Sequence, residues 1–469
     1  MFNCSGRQRE QQLQSVAKLA GHADSTTFFN ALTDQNMFDM LESLLPEYRE
    51  RVYTPTDTLS MFLSQALNTD RSCQSVVDEW FMSRQSAGMK AISTSTGAYC
   101  RARQRLPTSM IRELARHSGH ELHKRVPKQW KWKGRHVKLI DGTTLSMPDT
   151  PENQSVYPQR STQQPGIGFP QCRLVGVLDL SGGGVIDVAY GACAGKGSGE
   201  QGLLRKLLGA MQTGDVVLGD ALFPDYFLLC TLQAMGVDCL CEQMSGRARI
   251  ADFRKGTKLG ACDHLISYPK PPIKPGWLSQ SDYDAAPQSL RVRELRFSPR
   301  KGVKGKTLVT TLCCAKRYKK SDLKELYKDR WQVEINFRHI KTTLGMDVLS
   351  CKTPQMVEKE IWVYLLAYNI IRIIMAQSAL QAGCSPNELS FKHSTQLWLA
   401  WGRYALVVDQ ASWIALLNAM AQKRVGRRPG RIEPRERKRR PKSYPWLKKP
   451  RDQARKDVIK YGHDHRDRA

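Results

Sequence analysis

Residues Ile361–Met375 read IWVYLLAYNIIRIIM. A helix of this composition has no polar face to turn toward water, so it must be covered on every side. A bilayer span needs about 20 apolar residues; this run is shorter, and Asn369 and Arg372 interrupt it. The expectation is therefore a buried helix at the centre of a large domain, with other layers packed around it. A chain of 469 residues is long enough for that core and for two to four domains.

The layers are supplied upstream. His136–Met147, HVKLIDGTTLSM, is β-branched and contains a turn-prone Asp-Gly, and reads as a strand with Asp141 at or near its end. Gly168–Gly191 reads as two strands joined by Ser181-Gly182-Gly183-Gly184. Gly197–Met211 reads as a short helix, and Asp215–Phe227 as a buried strand ending on Asp220 and then a helix or turn. Gly236–Gln243 reads as a fifth strand. Strand, hairpin, helix, strand, helix, strand is the order of a ribonuclease H-like mixed α/β sheet. Residues 131–243 and 313–380 form the two parts of this core. Between them, 244–312 reads as a β-rich insertion, with Pro269, Pro271, Pro272 and Pro275 ahead of Trp277 and alternating runs such as SLRVRELRF.

The flanks differ. Residues 1–130 read as helical. Phe28, Phe29, Leu32, Phe38, Leu44 and Leu45 open an amphipathic stretch; helices near Thr56–Leu67 and Arg71–Phe81 follow. A third is capped by Ser95 or Thr96, carries Arg101, Arg103 and Arg105, and is stopped by Pro107. Three short helices with a basic third one suggest a helix-turn-helix-like DNA-binding domain, although three helices also pack together in proteins that never touch DNA. Further helices fill 381–422. Residues 423–469 are dense in Arg and Lys, including Arg427, Arg428, Arg437, Lys438, Arg439 and Arg440. They read as an extended basic arm with Tyr444 and Trp446 available to stack or anchor, the alternative being a solubilising tail. Lys plus Arg number 72 against 44 Asp plus Glu, a net charge of +28. That excess points to a polyanion, nucleic acid first. The 13 cysteines lack paired C-x2-C zinc spacing. Free thiols in a reducing cytoplasm are expected.

A second helix is expected over Ser321–Gly345. At about 100° per residue, Tyr327, Arg330, Glu334 and Lys341 share one face. Beside them runs an apolar seam of Leu326, Val333, Phe337, Ile340 and Leu344. The plain alternative is a solvated face with i,i+4 ion pairs such as Arg330 with Glu334. Combined with two strand-end acids, the stripe suggests more. If Asp141, Asp220 and Glu334 converge, their mutual repulsion calls for divalent cations. Two Mg2+ ions about 3.5–4 Å apart suit in-line displacement at phosphorus, and need no His or Cys. Asp149, Asp179, Asp187, Asp215 and Asp225 are competing acids. Gly191–Gln201 is one residue short of a P-loop and has Gly197 where Ser or Thr should follow the Lys, so ATP binding is not expected. His339 lies about 120° around the helix from Tyr327 and is not expected to be a ligand.

The pattern Y-x2-R-x3-E-x6-K from Tyr327, with DGTTLSMPDTPENQ at 141–154 and GDVVLGDALFPDYF at 214–227, resembles the DDE transposases of bacterial insertion sequences of the Tyr-Arg-Glu-Lys type. DRSCQSVVDEW, TSTGAYCRARQRLP, KTPQMVEKEIWVYLLAYNIIR and RRPGRIEPRERKRRPK look similar as well, so the likeness covers nearly the whole chain. One departure is Ala221 after Asp220, where many relatives carry Arg. The resemblance implies Asp141, Asp220 and Glu334 as metal ligands and catalytic residues, with two Mg2+ ions that Mn2+ can replace. It implies phosphate contacts from Tyr327, Arg330 and Lys341, and a β insertion with an aromatic wedge, for which Trp277 is the candidate. It implies cut-and-paste transposition through a hairpin, acting on element ends and target DNA as a homodimer on DNA, in the bacterial cytoplasm at the nucleoid and away from membranes. The alternatives are a structure-specific nuclease of the same fold and a non-catalytic DNA-binding relative.

Overall fold

A computed structural model describes residues 52–86, 88–161, 164–195, 197–243, 251–297, 305–404, 410–425 and 449–461. Three helices come first: α1 (Pro55–Leu67), α2 (Cys73–Ser86) and α3 (Thr96–Arg105). They close on a small core of Tyr53, Met61, Val76, Val77, Tyr99 and Ala102. The Thr54 hydroxyl accepts the Asp57 amide to start α1. Pro107 lies just past α3, as the sequence suggests, and the chain re-enters a helix at once, α4 (Thr108–Lys124). The expected amphipathic stretch from Phe28 to Leu45 lies outside the described residues.

Among the described residues, one sheet of nine strands organises the rest. Its members are β1 (Val137–Ser146), β2 (Gln171–Asp179), β3 (Val185–Ala192), β4 (Val216–Gly219), β5 (Asp238–Glu242), β6 (Thr257–Gly260), β7 (Asp263–Pro269), β8 (Ser289–Phe297) and β9 (Lys306–Thr310). Their order is β3-β2-β1-β4-β5-β9-β8-β7-β6. β1 runs parallel to β4, and β4 to β5; β2 is antiparallel to β1 and β3. The first and fourth strands are neighbours, as expected. The β-rich stretch does not stand apart: β9 pairs with β5 and carries the same sheet outward through β8, β7 and β6.

The helices between strands are α5 (Pro151–Val156), α6 (Glu200–Arg205), α7 (Tyr226–Ala234) and α8 (Gln280–Ala285). After β9 come α9 (Lys320–Lys328), α10 (Trp331–Arg338) and a π turn at His339–Thr343. Then follow α11 (Pro354–Gln381), α12 (Phe391–Tyr404), α13 (Gln410–Gln422) and α14 (Arg451–Tyr461). α14 corrects part of the expected extended arm: past Pro450 the sequence RDQARKDVIKY is free of proline and folds as helix. Arg451 pairs with Asp149 there.

Two cores sandwich the sheet. α11 and α10 lie on one face, with Leu139, Leu145, Leu218 and Leu240 beneath them. α6 and α7 lie on the other, against Ile140, Val175 and Val217. α11 is buried on nearly every side. Four of its buried polar residues take partners from other segments. The Asn369 side chain donates to the Ala115 and Val185 carbonyls and accepts from the Val185 amide. Arg372 donates to the Gly182 carbonyl and to Asn387. Lys359 donates to the Gln104 carbonyl, and Glu360 accepts from the Ser350 and Cys351 amides. Most buried polar groups are satisfied, and here Asn369, Arg372, Lys359 and Glu360 clamp different segments onto the central helix, while Gln377 Oε1 is left without a partner among the described residues.

Candidate active site

The strand register brings two of the predicted acids together. β1 and β4 are paired at Val137↔Val216, Lys138↔Val217 and Leu139↔Leu218. Two residues further on, Asp141 comes level with Asp220. β4 and β5 are paired through Gly219↔Cys241, so the next step brings Asp220 level with Glu242. Side chains alternate along a strand. Asp141 therefore shares the face of Leu139, Asp220 that of Leu218 and Glu242 that of Leu240, the face covered by α10 and α11. Asp141 sits at mid-strand rather than at the end of β1. The strand continues to Ser146 because β2 pairs along its full length; β4 is what stops.

The third acid arrives from above. Val333 and Phe337 of α10 are buried in the same core. The Phe337 ring is 3.1 Å from where a Cβ on Gly176 would stand, and Gly176 is paired with Asp141. Glu334 is one turn earlier on α10. The Arg330 guanidinium donates to Glu334 Oε1 at 2.8 Å, and its charge also reaches Asp141. The ion pair of the plain alternative thus exists, and its cation is the one whose charge acts on Asp141.

The single helix expected over Ser321–Gly345 is broken in two places. At 329–333 the amides bond three residues back, Arg330 to Tyr327 and Val333 to Arg330, which tightens the turn. At Leu344 the amide bonds five back to His339, opening the π turn that carries Lys341. The apolar seam nonetheless buries Leu326, Val333, Phe337, Ile340 and Leu344 as expected. Tyr327 is buried and donates to Glu242 Oε2 at 3.1 Å, while Lys306 pairs with the same oxygen at 2.6 Å. Lys341 pairs with Asp347 at 2.9 Å. His339 stacks on Phe391 away from the stripe.

Burial pushes the Asp141 carboxyl up to about 6; its own Gly142 amide and Arg330 oppose this, and the charges of Asp220 and Glu200 add to it. Asp220 accepts the Leu222 amide. Asp141 and Glu334 thus share the charge of Arg330, and Asp220 and Glu200 act on Asp141. Their hard oxygens are the donor type a divalent cation takes, although among the described residues the group whose ligand atoms gather within 4.8 Å is a different one, His123, His136 and Asp179. Glu200 and Glu242 belong to this neighbourhood and were not picked out from sequence. The glycine after Asp141 was the available signal for Glu200.

The competing acids have other partners. Asp149 takes Arg451; Asp187 pairs with Arg116 at 2.9 Å, and Asp215 with Lys138 at 2.6 Å. Asp225 caps α7 through the Leu228 amide. Asp179 is fully buried at the far end of β2, 2.9 Å from His123 Nδ1, and accepts the Gly182 amide. His136 completes a group whose donor atoms lie within 4.8 Å of one another. That group anchors α4 to the β2–β3 turn, three residues along the sheet from the Asp141 pairing.

The DNA-contact candidates fall in different settings. Arg101 and Arg105 are exposed on α3. Arg103 turns inward, over the Phe62 and Tyr99 rings, and donates to Gln65. Trp277 is 43% exposed and lies edge-on to Phe227, with the Arg205 guanidinium 3.8 Å from its ring. Arg427, Arg428, Arg437, Lys438, Arg439, Arg440, Tyr444 and Trp446 lie outside the described residues.

Comparison with known proteins matches this arrangement to a family. Residues 132–370, which hold all three predicted acids and the Tyr-Arg-Glu-Lys residues, match the Transposase DDE domain. The chain is 30% identical over 308 residues to the transposase InsG for insertion sequence element IS4 of Escherichia coli (strain K12). The match covers 63% of this chain and spans 65% of that relative's length. A cryo-EM structure of a piggyBac transposase synaptic complex with hairpin DNA aligns with a TM-score of 0.42 and 12% identity, over 84% of this chain and 82% of that one. Since the first of these matches spans more than half of the sequence, the chain belongs to the Transposase DDE domain family.

Proposed function

We propose that this protein is a DNA transposase that cuts at the ends of a mobile element and joins them to target DNA. The observation that carries the reading is the parallel register that brings Asp141 level with Asp220, under a helix whose Glu334 pairs with Arg330, the cation whose charge acts on Asp141. The strand order, with β1 between an antiparallel β2 and a parallel β4, supports a ribonuclease H-like core. Asp141, Asp220 and Glu334 would hold divalent cations, Mg2+ in the cell, and when bound these supply an activated attacking oxygen and a stabilised leaving oxygen.

The rest is work for the chain's own side chains. Arg330 orients Glu334 and places positive charge where a phosphate would approach. Lys341 and Tyr327 would exchange Asp347 and Glu242 for phosphate oxygens once DNA docks. α3, with exposed Arg101 and Arg105, would read or grip the element end, and Trp277 would stack against a base displaced by the insertion. Cleavage through a hairpin, action as a homodimer on paired ends, and a place at the bacterial nucleoid complete the reading. One acid cluster serves each phosphoryl-transfer step because each is the same displacement at phosphorus.

The test is a labelled element end incubated with the full chain and Mg2+, resolved on a denaturing gel, followed by a strand-transfer assay with precut ends. A transposase nicks, gives a hairpin-sized product and joins the precut end to a second duplex. Nicking without joining would replace this reading with a nuclease; binding without nicking would replace it with a non-catalytic DNA-binding protein.

A further inference from the structure

Side chains alternate through the sheet, so Gly142 presents its Cα to the face opposite Asp141, the face covered by α6 and α7. That position is filled by something else. A Cβ built on Gly142 would lie 2.4 Å from Glu200 Cδ and 2.6 Å from Glu200 Oε1. The Glu200 carboxyl therefore rests on the backbone of the residue after Asp141, in space that any other amino acid would occupy. Past Leu139, β1 has no paired residue on its β4 side, so this stretch of strand is open there. A carboxylate from the far layer can reach the acid cluster only at such an opening, and only across a glycine.

The placement is electrostatically unfavourable unless it has a purpose. The Glu200 charge acts on Asp141, and Asp220 acts on Glu200; among the described residues Arg173 is the cation that offsets it. Among the described residues Glu200 accepts no hydrogen bond. Glu200 stands on the first turn of α6, and its side chain is half-buried against the strand. Like charges held together without a counter-ion are destabilising, and a divalent cation reverses the sign.

We propose that Glu200 supplies a fourth carboxylate to the divalent-cation site of Asp141, Asp220 and Glu334, through the gap left by Gly142. This rests on the reading of that trio as cation ligands. It explains the Asp-Gly dipeptide as a cradle inside a strand and not as a turn.

The experiment measures Mn2+ binding to the full chain by calorimetry, in the wild type and in Glu200→Gln, Gly142→Ala and Asp141→Asn, with metal-free melting curves alongside. The proposal expects Glu200→Gln to weaken Mn2+ about tenfold or more. It expects Gly142→Ala to weaken Mn2+ as well, since its methyl displaces the carboxylate. It expects the metal-free melting temperature of Glu200→Gln to hold or rise as a repulsion is removed. Wild-type Mn2+ affinity in Glu200→Gln, with binding lost in Asp141→Asn, overturns the role of Glu200 alone. Unchanged affinity in both overturns the trio as well. If Gly142→Ala fails to fold, the Glu200→Gln titration decides by itself.

Discussion

At the scale of single residues, the account turns on which carboxylates are free to work. Asp141→Asn or Glu334→Ala should abolish strand cleavage while leaving affinity for an element end within about threefold, because each removes an acidic group and leaves every proposed phosphate-contacting cation in the chain; gel cleavage and band-shift assays on one preparation check both. Cleavage surviving in either variant removes that residue from the mechanism. A second prediction concerns His339. Burial, with Arg372 and Arg338 nearby, lowers its pKa to about 3. The unfolded chain then binds a proton that the folded one refuses, so this contribution to stability is full above about pH 6.5 and is lost as pH falls toward 3. At pH 5 the loss is about 2 kcal/mol. In His339→Gln the gap between melting temperatures at pH 7 and pH 5 should shrink; an unchanged gap would mean that His339 titrates normally. The trio could be singled out in the sequence by its motif spacing, but its competitors could not be dismissed there. Lys138, Arg116 and Arg451 do that in space, each from a distant segment.

At the scale of elements, the strands were legible because β-branched runs between glycines have little other way to fold, and β1 to β5 lie where the pattern set them. The break in the Ser321–Gly345 helix was not legible. Helical periodicity runs unbroken through it, and the departures show only in the backbone, where the Arg330 and Val333 amides bond three residues back and the Leu344 amide five. Glu200 stayed hidden because the glycine after Asp141 hints at a close approach but does not name the residue in another layer that makes it. The β2–β3 turn offers a test of how elements are clamped to α11. Gly183 has φ +75°, and a Cβ there would lie 1.9 Å from the Arg372 guanidinium. Gly183→Ala should cost at least about 2 kcal/mol in denaturant unfolding, from backbone strain plus a displaced buried charge. A smaller loss would show that Arg372 can move aside.

At the scale of the whole molecule, the apolar run that opened the sequence becomes the axis on which α4, β3, α12 and α13 are hung, and the sheet extends from it through nine strands. On the proposed function, the excess of basic residues would serve a different end, contact with DNA along its phosphates. Binding should weaken steeply with salt, with log affinity falling by about 0.9 per phosphate contacted for each unit of log salt. Ending the chain at residue 425 should flatten that slope by several units; an unchanged slope would make the basic C-terminal stretch a bystander. The central claim, that Asp141, Asp220 and Glu334 gather around shared cations, is tested most directly by anomalous diffraction from crystals soaked in Mn2+. The account predicts manganese peaks within about 2.5 Å of carboxylate oxygens of Asp141 and Asp220, with Glu334 facing the same ions. Manganese bound elsewhere, with that recess unoccupied at saturating metal, would contradict it.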